Sequence, residues 1–275
     1  MAYHTLLVHL DNSPACATRT EIAIRLAREH GSHLVGLAPT GQVQIPVDVA
    51  SSLLEPGYLV ASGQLLRNRA TQACEEFEAR ASAAGLTSFE TLVEEADHAA
   101  STMAHGRCAD LVVVGQTDRE PPLGVVNRDL PELVALGSGR PVIVVPFVGR
   151  FDSLVRHVLV AWNDSREAAR ALADAMPMLQ RAQKVTVLTE RKPGEPAPAL
   201  QTLEAWLARH AVKCVFAQEV SELEFGDLLL SRAADLDVEL IVMGCYGRSR
   251  LMERVLGGAT RSLLAQMTVP VLMAH

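Results

Sequence analysis

Leu240-Ile-Val-Met-Gly244-Cys-Tyr-Gly247-Arg-Ser-Arg-Leu-Met-Glu-Arg-Val-Leu-Gly257-Gly258-Ala-Thr260 is the stretch on which the reading of this chain turns. The apolar run 240–243 is short and partly β-branched, the form of a parallel strand covered on both faces. Gly244 and Gly247 follow where the chain leaves the sheet. A residue without a Cβ there lets the backbone turn with positive φ or come close to a ligand. Gly257 and Gly258 then open a segment of helical character, Ala259-Thr260-Arg261-Ser262-Leu263-Leu264. Bare N–H groups at a helix start form a phosphate-binding concavity. Glycines at strand ends also serve as plain turn formers, so the spacing, rather than any single glycine, carries the argument.

Working outward, the same order of elements occurs twice. In the first half, strand patterns at 5–10, 33–38, 89–93, 111–115 and 141–145 alternate with helical patterns at 14–30, 62–84 and 99–107, and 39–60 reads mainly as loop. Ser13 is expected to cap the first helix and Pro14 to occupy its first position. In the second half, strands at 158–162, 184–188, 213–216, 240–244 and 269–273 alternate with helices reaching Gln180, at 199–211 and at 226–236. Gly115 and Gly244, like Pro141 and Pro270, stand 129 residues apart, the constant offset of an internal duplication. Strands alternating with helices imply parallel sheets joined by right-handed crossovers. The expected architecture is α/β, two tandem doubly wound parallel-sheet domains of Rossmann-like type, spanning 1–148 and 153–275. Ligands of such sheets bind beyond the carboxyl ends of the strands, where the strand order switches. Asn163-Asp164 and Gly244 fall on that edge.

The 275 residues are 49% hydrophobic and 21% charged, ample for packed cores. A formal charge of −7 with no basic stripe, and aromatic content of only 4%, argue against nucleic-acid binding. No apolar run reaches about 18 residues, so no membrane span is expected. The N-terminus lacks a charged region followed by an apolar core, and a cytoplasmic location is expected. Cys16, Cys74, Cys108, Cys214 and Cys245 form neither C-x-x-C nor a zinc-ligand pair, which suits free thiols in a reducing compartment.

The pattern Gly244-x2-Gly247-x9-Gly257, followed by Val269-Pro270-Val271 at the closing strand, resembles the nucleotide loop of the universal stress protein family. The resemblance covers the chain as a tandem two-domain form and is strongest at 156–190 and 238–275. It implies the adenine nucleotide alpha hydrolase-like fold and a stress-response binding or regulatory role. ATP or a related adenine nucleotide, with Mg, is the ligand it implies for the C-terminal domain. Carried over position by position, it assigns nucleotide contacts to Asn163, Asp164, Leu188, Thr189, Gly244, Gly247, Gly257, Gly258, Ala259 and Thr260. Gly258 stands where the family has Ser or Thr, and Asn163 where it has an aspartate; the first half keeps that acid as Asp11. The family also pairs domains through their last strands, which implies that 141–145 and 269–273 meet within this chain and that a homodimer can form.

The first half departs further. Asp118 replaces the second glycine, Arg128-Asp129 stand in place of Gly-Ser, and Pro121, Pro122 and Pro131 supply no N–H. Carboxylates at Asp118, Glu120 and Asp129 would repel a phosphate, so this loop is expected not to hold a triphosphate. Neither a G-x-S-x-G elbow nor a P-loop occurs. The loop arginines Arg248, Arg250 and Arg254 are the only cations at hand for phosphoryl transfer, so any ATPase would be slow and no catalytic residue is assigned. His98, beside Asp97, and His105 lie near the first crevice, where solvated loop histidines are the plain reading and proton transfer or metal binding the functional one. Two other readings stay open: an interaction protein without nucleotide, and an enzyme acting on a small molecule or metal in the N-terminal crevice.

Overall fold

The computed structural model describes residues 2–42, 56–117, 129–191, 193–194, 199–221, 224–245 and 258–275. They gather into two compact units, Tyr3–Ser138 and a second containing Gly139–His275.

In the first unit, β1 (Thr5–His9), β2 (His33–Pro39), β3 (Phe89–Glu94) and β4 (Leu111–Gly115) form a parallel sheet in the order β3-β2-β1-β4. Helices α1 (Cys16–His30), α2 (Pro56–Ala83), α3 (His98–Gly106) and α4 (Leu130–Gly137) connect or follow the strands. β4 is buried along its whole length, which accounts for its unbroken Leu-Val-Val-Val run. α1 stops where Gly31 takes φ +66 and returns its N–H to the Ala27 carbonyl, a left-handed C-cap suited to glycine. α2 buries one stripe, Ala70, Ala73, Cys74, Phe77 and Ala81, at the helical repeat. Phe77 meets Phe89 edge-to-face with ring centroids 6.0 Å apart. A Cβ at Gly36 would lie 3.0 Å from the Phe77 ring, so the strand has no side chain where the ring seats.

In the second unit, β6 (His157–Ala161), β7 (Lys184–Arg191), β8 (Cys214–Val220), β9 (Leu240–Gly244) and β10 (Val271–Ala274) are joined by β5 (Val142–Val145), in the order β5-β10-β9-β6-β7-β8. All pairs are parallel except β5 with β10, where Val144 faces Val271 and Val142 faces Met273. The two strands expected to meet do pair, and both are fully buried. Helices α5 (Arg166–Asp174), α6 (Met176–Leu179), α7 (Gln201–Arg209), α8 (Phe225–Asp235) and α9 (Gly258–Gln266) complete the unit. The alternating α/β order and the mostly parallel sheets are those expected from the sequence.

Several boundaries differ from expectation, and proline explains three of them. α2 starts at Pro56 rather than near 62, and α4, unforeseen, carries Pro131 in its first turn. Pro56 falls in the expected loop and Pro131 enters the sequence reading only as lacking an N–H, yet the missing N–H costs nothing at a helix start. Pro177 does the same at α6, dividing the helix expected to run to Gln180. The remainder of the expected loop, 43–55, lies outside the described residues. α1 starts at Cys16, with no side-chain cap, and the Ser13 hydroxyl donates to Asp11 Oδ1.

Candidate functional site

The carboxyl edge of the second sheet brings the turn after β6 beside the end of β9. The Trp162 N–H donates to the Leu188 carbonyl at 2.9 Å, drawing the ends of β6 and β7 together. Asn163 Oδ1 then accepts from the Ser165 N–H at 3.2 Å and its hydroxyl at 2.7 Å. Ser165 Oγ in turn accepts from the Ala168 N–H at 3.1 Å and caps α5. Asp164, between them, is held at φ +57, in the left-handed region that aspartate tolerates at turns, and is exposed. The side-chain oxygen of Asn163 is thus committed to the turn, while its amide group remains on an exposed residue. Leu188 is fully buried and Thr189 is 2% exposed. The Thr189 hydroxyl lies 3.5 Å from the Ala217 carbonyl.

Gly244 lacks a side chain for a reason the sequence did not disclose. A Cβ there would lie 2.4 Å from both the Ala168 nitrogen and the Glu167 carbonyl carbon. The backbone of the first turn of α5 rests on the end of β9, and Gly244 is not among the residues with positive φ. The expected close approach exists, but the approaching group is the protein's own helix. Beside it Glu167 is buried, paired with Arg166. Burial pushes its carboxyl upward, but the Arg166 bond, a backbone N–H and the charge of Arg166 outweigh burial and hold it below the usual range. Cys245 is also buried; its N–H donates to the Ala274 carbonyl and its own carbonyl accepts from His275 Nδ1. That thiol has the surroundings of an unreactive core cysteine.

Gly247 and Gly257, with Arg248, Arg250 and Arg254, lie outside the described residues. Gly258 and Ala259 open α9, and Thr260 follows half-buried in its first turn. The turn 163–165, the end of β9 and the start of α9 therefore all belong to one unit and one domain-sized fold.

The first unit repeats the turn with a charge added. Asp11 Oδ1 accepts from the Ser13 N–H at 2.9 Å and its hydroxyl at 2.6 Å, as Asn163 does from Ser165. Here it also lies 3.0 Å from Arg19 Nη2. Arg19, on α1, is 2% exposed and donates from Nε to the His9 carbonyl at 2.7 Å. A Cβ at Gly115 would lie 2.2 Å from Arg19 Nη1, so the guanidinium passes over the bare end of β4. His9, buried in β1, makes a 2.8 Å Nε2–Nδ1 contact with His98, the first residue of α3, whose N-cap Asp97 accepts from the Ala100 N–H. Burial first, then the positive charge of Arg19, push the His9 imidazole down to about 3, against the pull of Asp11. Burial opposes ionisation of Asp11, but Arg19, His9 and the Ser13 bonds overcome it and hold the carboxyl well below the usual range. His105 bonds Glu94 Oε2 at 3.2 Å, and the Ser101 hydroxyl donates to the same oxygen.

His98 and His105 are therefore bonded to protein groups rather than merely solvated. His9 and Arg19 escaped the sequence reading. The signal for His9 was a lone imidazole inside an apolar strand; Arg19 had none, being one of several arginines on its helix. Of the acidic loop residues expected here, Asp118 and Glu120 lie outside the described residues, and Asp129 immediately precedes α4.

The geometry defines a doubly wound α/β protein with its candidate sites at strand ends. Residues 155–275 match the model of the universal stress protein family. The chain thus carries a domain of that family over these C-terminal residues. A universal stress protein from Archaeoglobus fulgidus DSM 4304 superimposes with a TM-score of 0.73 at 17% identity, over 98% of this chain and 95% of that one. A protein of unknown function from Pseudomonas aeruginosa PAO1 does so with a TM-score of 0.61 at 15% identity, over 99% and 92%. At these identities the likeness establishes the fold alone. A comparison with curated protein sequences finds no significant match.

Proposed function

We propose that this chain is a tandem universal stress protein, a cytoplasmic binding and regulatory protein whose C-terminal domain takes ATP or a related adenine nucleotide. Its domains are read as 1–148 and 153–275. The observation that carries the reading is that the family match at 155–275 takes in the whole G-x2-G-x9-G loop together with α9. Backbone N–H groups around Gly247, Gly257 and Gly258 and at the start of α9 would receive the phosphates, with Mg as counter-ion. The Asn163 amide and Asp164 would meet the nucleoside, Leu188 and Thr189 would back the base, and Ala259 and Thr260 would close the phosphate end. Any hydrolysis would be slow, since the sequence carries no P-loop lysine.

Isothermal calorimetry with ATP on the full chain tests this. Wild type should release heat with a single site per chain, and Gly247→Val should abolish it while leaving the melting temperature unchanged. Absence of heat from wild type, or equal heats from both, would overturn the reading. A second reading, an interaction protein without nucleotide, is favoured by one observation: the space above Gly244 is filled by α5.

A further inference from the structure

The polar atoms around Asp11 admit one pattern of protons that leaves no conflict. Asp11 Oδ1 is taken by Ser13 and Arg19, while Oδ2 lies 3.8 Å from His9 Nδ1. That nitrogen is buried and makes no hydrogen bond among the described residues. A bare lone pair there would face an ionised carboxylate in a low-dielectric interior, whereas an N–H there faces its attractor. The proton therefore belongs on His9 Nδ1, which leaves His9 Nε2 as an acceptor. The 2.8 Å contact then requires His98 Nδ1 to donate. His98 Nε2 is left with its lone pair and no proton. It sits against the Gly41 backbone, where a Cβ would lie 3.0 Å from Nε2 and where φ is +74. Glycine at that position keeps any side chain off this nitrogen.

We infer that His98 Nε2 is a tautomer-locked acceptor at the carboxyl edge of the first sheet, held by the chain Asp11–His9–His98 and suited to an N–H or O–H group of a small protic ligand. The groups acting on His98 are of both signs: Asp11 and Asp97 favour a proton on it, while Arg19 and burial oppose one. A single proton added at Nε2 leaves the chain intact, because His98 Nδ1 already donates. A second, on His9 Nε2, would set two donors face to face.

The test is a long-range nitrogen–proton correlation spectrum of the histidine rings, recorded on the labelled full chain near neutral pH. His98 should be the Nδ1–H tautomer, the minor form of a free imidazole, and His9 likewise. Asp11→Asn supplies the discriminating variant. Its Oδ1 can keep Ser13 and Arg19 while its amide N–H2 replaces Oδ2 and donates to His9 Nδ1, so both rings should invert and His98 should become Nε2–H. The His98 titration midpoint should also fall, since the carboxylate that favours its proton is gone. An Nε2–H tautomer of His98 in wild type would overturn the inference whether or not the variant folds. So would unchanged tautomers in a variant whose amide spectrum is otherwise native.

Discussion

Acidification should weaken the first unit steeply, with His9 by itself contributing about one proton taken up on unfolding between pH 6.5 and about pH 4. The imidazole of His9 has an ordinary value of 6.5 and is pushed down to about 3 in the fold, by burial and then by Arg19. The unfolded chain therefore binds the proton first, and stability falls as pH falls. Above pH 6.5 the group is neutral in both states and its contribution is fully present. Below that value stability is lost at about 1.4 kcal/mol per pH unit, or about 3 kcal/mol by about pH 4. Asp11 acts in the same direction at lower pH still: its depressed carboxyl stabilises above the ordinary aspartate range and ceases to do so as pH falls through it. Urea unfolding midpoints across this range measure the slope, with slopes read for each unit from a reporter peptide by hydrogen exchange. Replacing His9 with glutamine, whose amide can occupy the Nε2 position, should reduce the slope by about one proton. A slope unaffected by that substitution would remove His9 from the account.

The second large effect is expected at Gly244. Gly244→Ala should destabilise the second unit by about 3 kcal/mol or more, since the new methyl meets backbone atoms of α5 that cannot rotate away. Nucleotide has no part in that penalty, so thermal melting of ligand-free protein measures it. Gly115→Ala is the internal comparison: the atom it meets is a side-chain guanidinium rather than backbone, so its cost is that of disturbing the bonds of Arg19 to Asp11 and His9. A ligand-free melting temperature unchanged by Gly244→Ala would mean that α5 stands clear of the strand end. The glycine would then return to being read as a ligand-approach residue.

How much of this was legible beforehand depends on the range of the interaction concerned. Strands such as Leu111–Gly115 and Leu240–Gly244 announce themselves because burial on both faces demands an unbroken apolar run. The meeting of 141–145 with 269–273, expected from the family resemblance alone, is found between Val142–Val145 and Val271–Ala274. Helix starts at Pro56 and Pro131 were not, because proline terminates one helix and begins another with the same chemistry, and only the following turns decide which. Gly244 was recognised as special, but what lies above it is a tertiary fact. The His9–His98 contact joins residues 89 positions apart and was out of reach of any local pattern. Ser13 shows the same limit in miniature: serine before proline promises a cap, yet α1 begins at Cys16 without one, whereas Ser165, which makes the matching bond to Asn163, does cap its helix.

The antiparallel seating of β5 beside β10 bears on how this chain can be dissected. The strand Val142–Val145 precedes the second repeat in sequence, yet it groups with the second unit. A fragment cut at the repeat boundary, beginning at 153, would carry Val271–Ala274 with a row of amides and carbonyls stripped of their mate, a template for self-association through an intruding copy of the same strand. One beginning at 139 would bring its own cover. Size-exclusion chromatography of the two fragments should find the shorter one, whose β10 has lost β5, eluting earlier than its mass predicts, so excision that respects sequence repeats and excision that respects hydrogen-bonded ladders would yield different molecules.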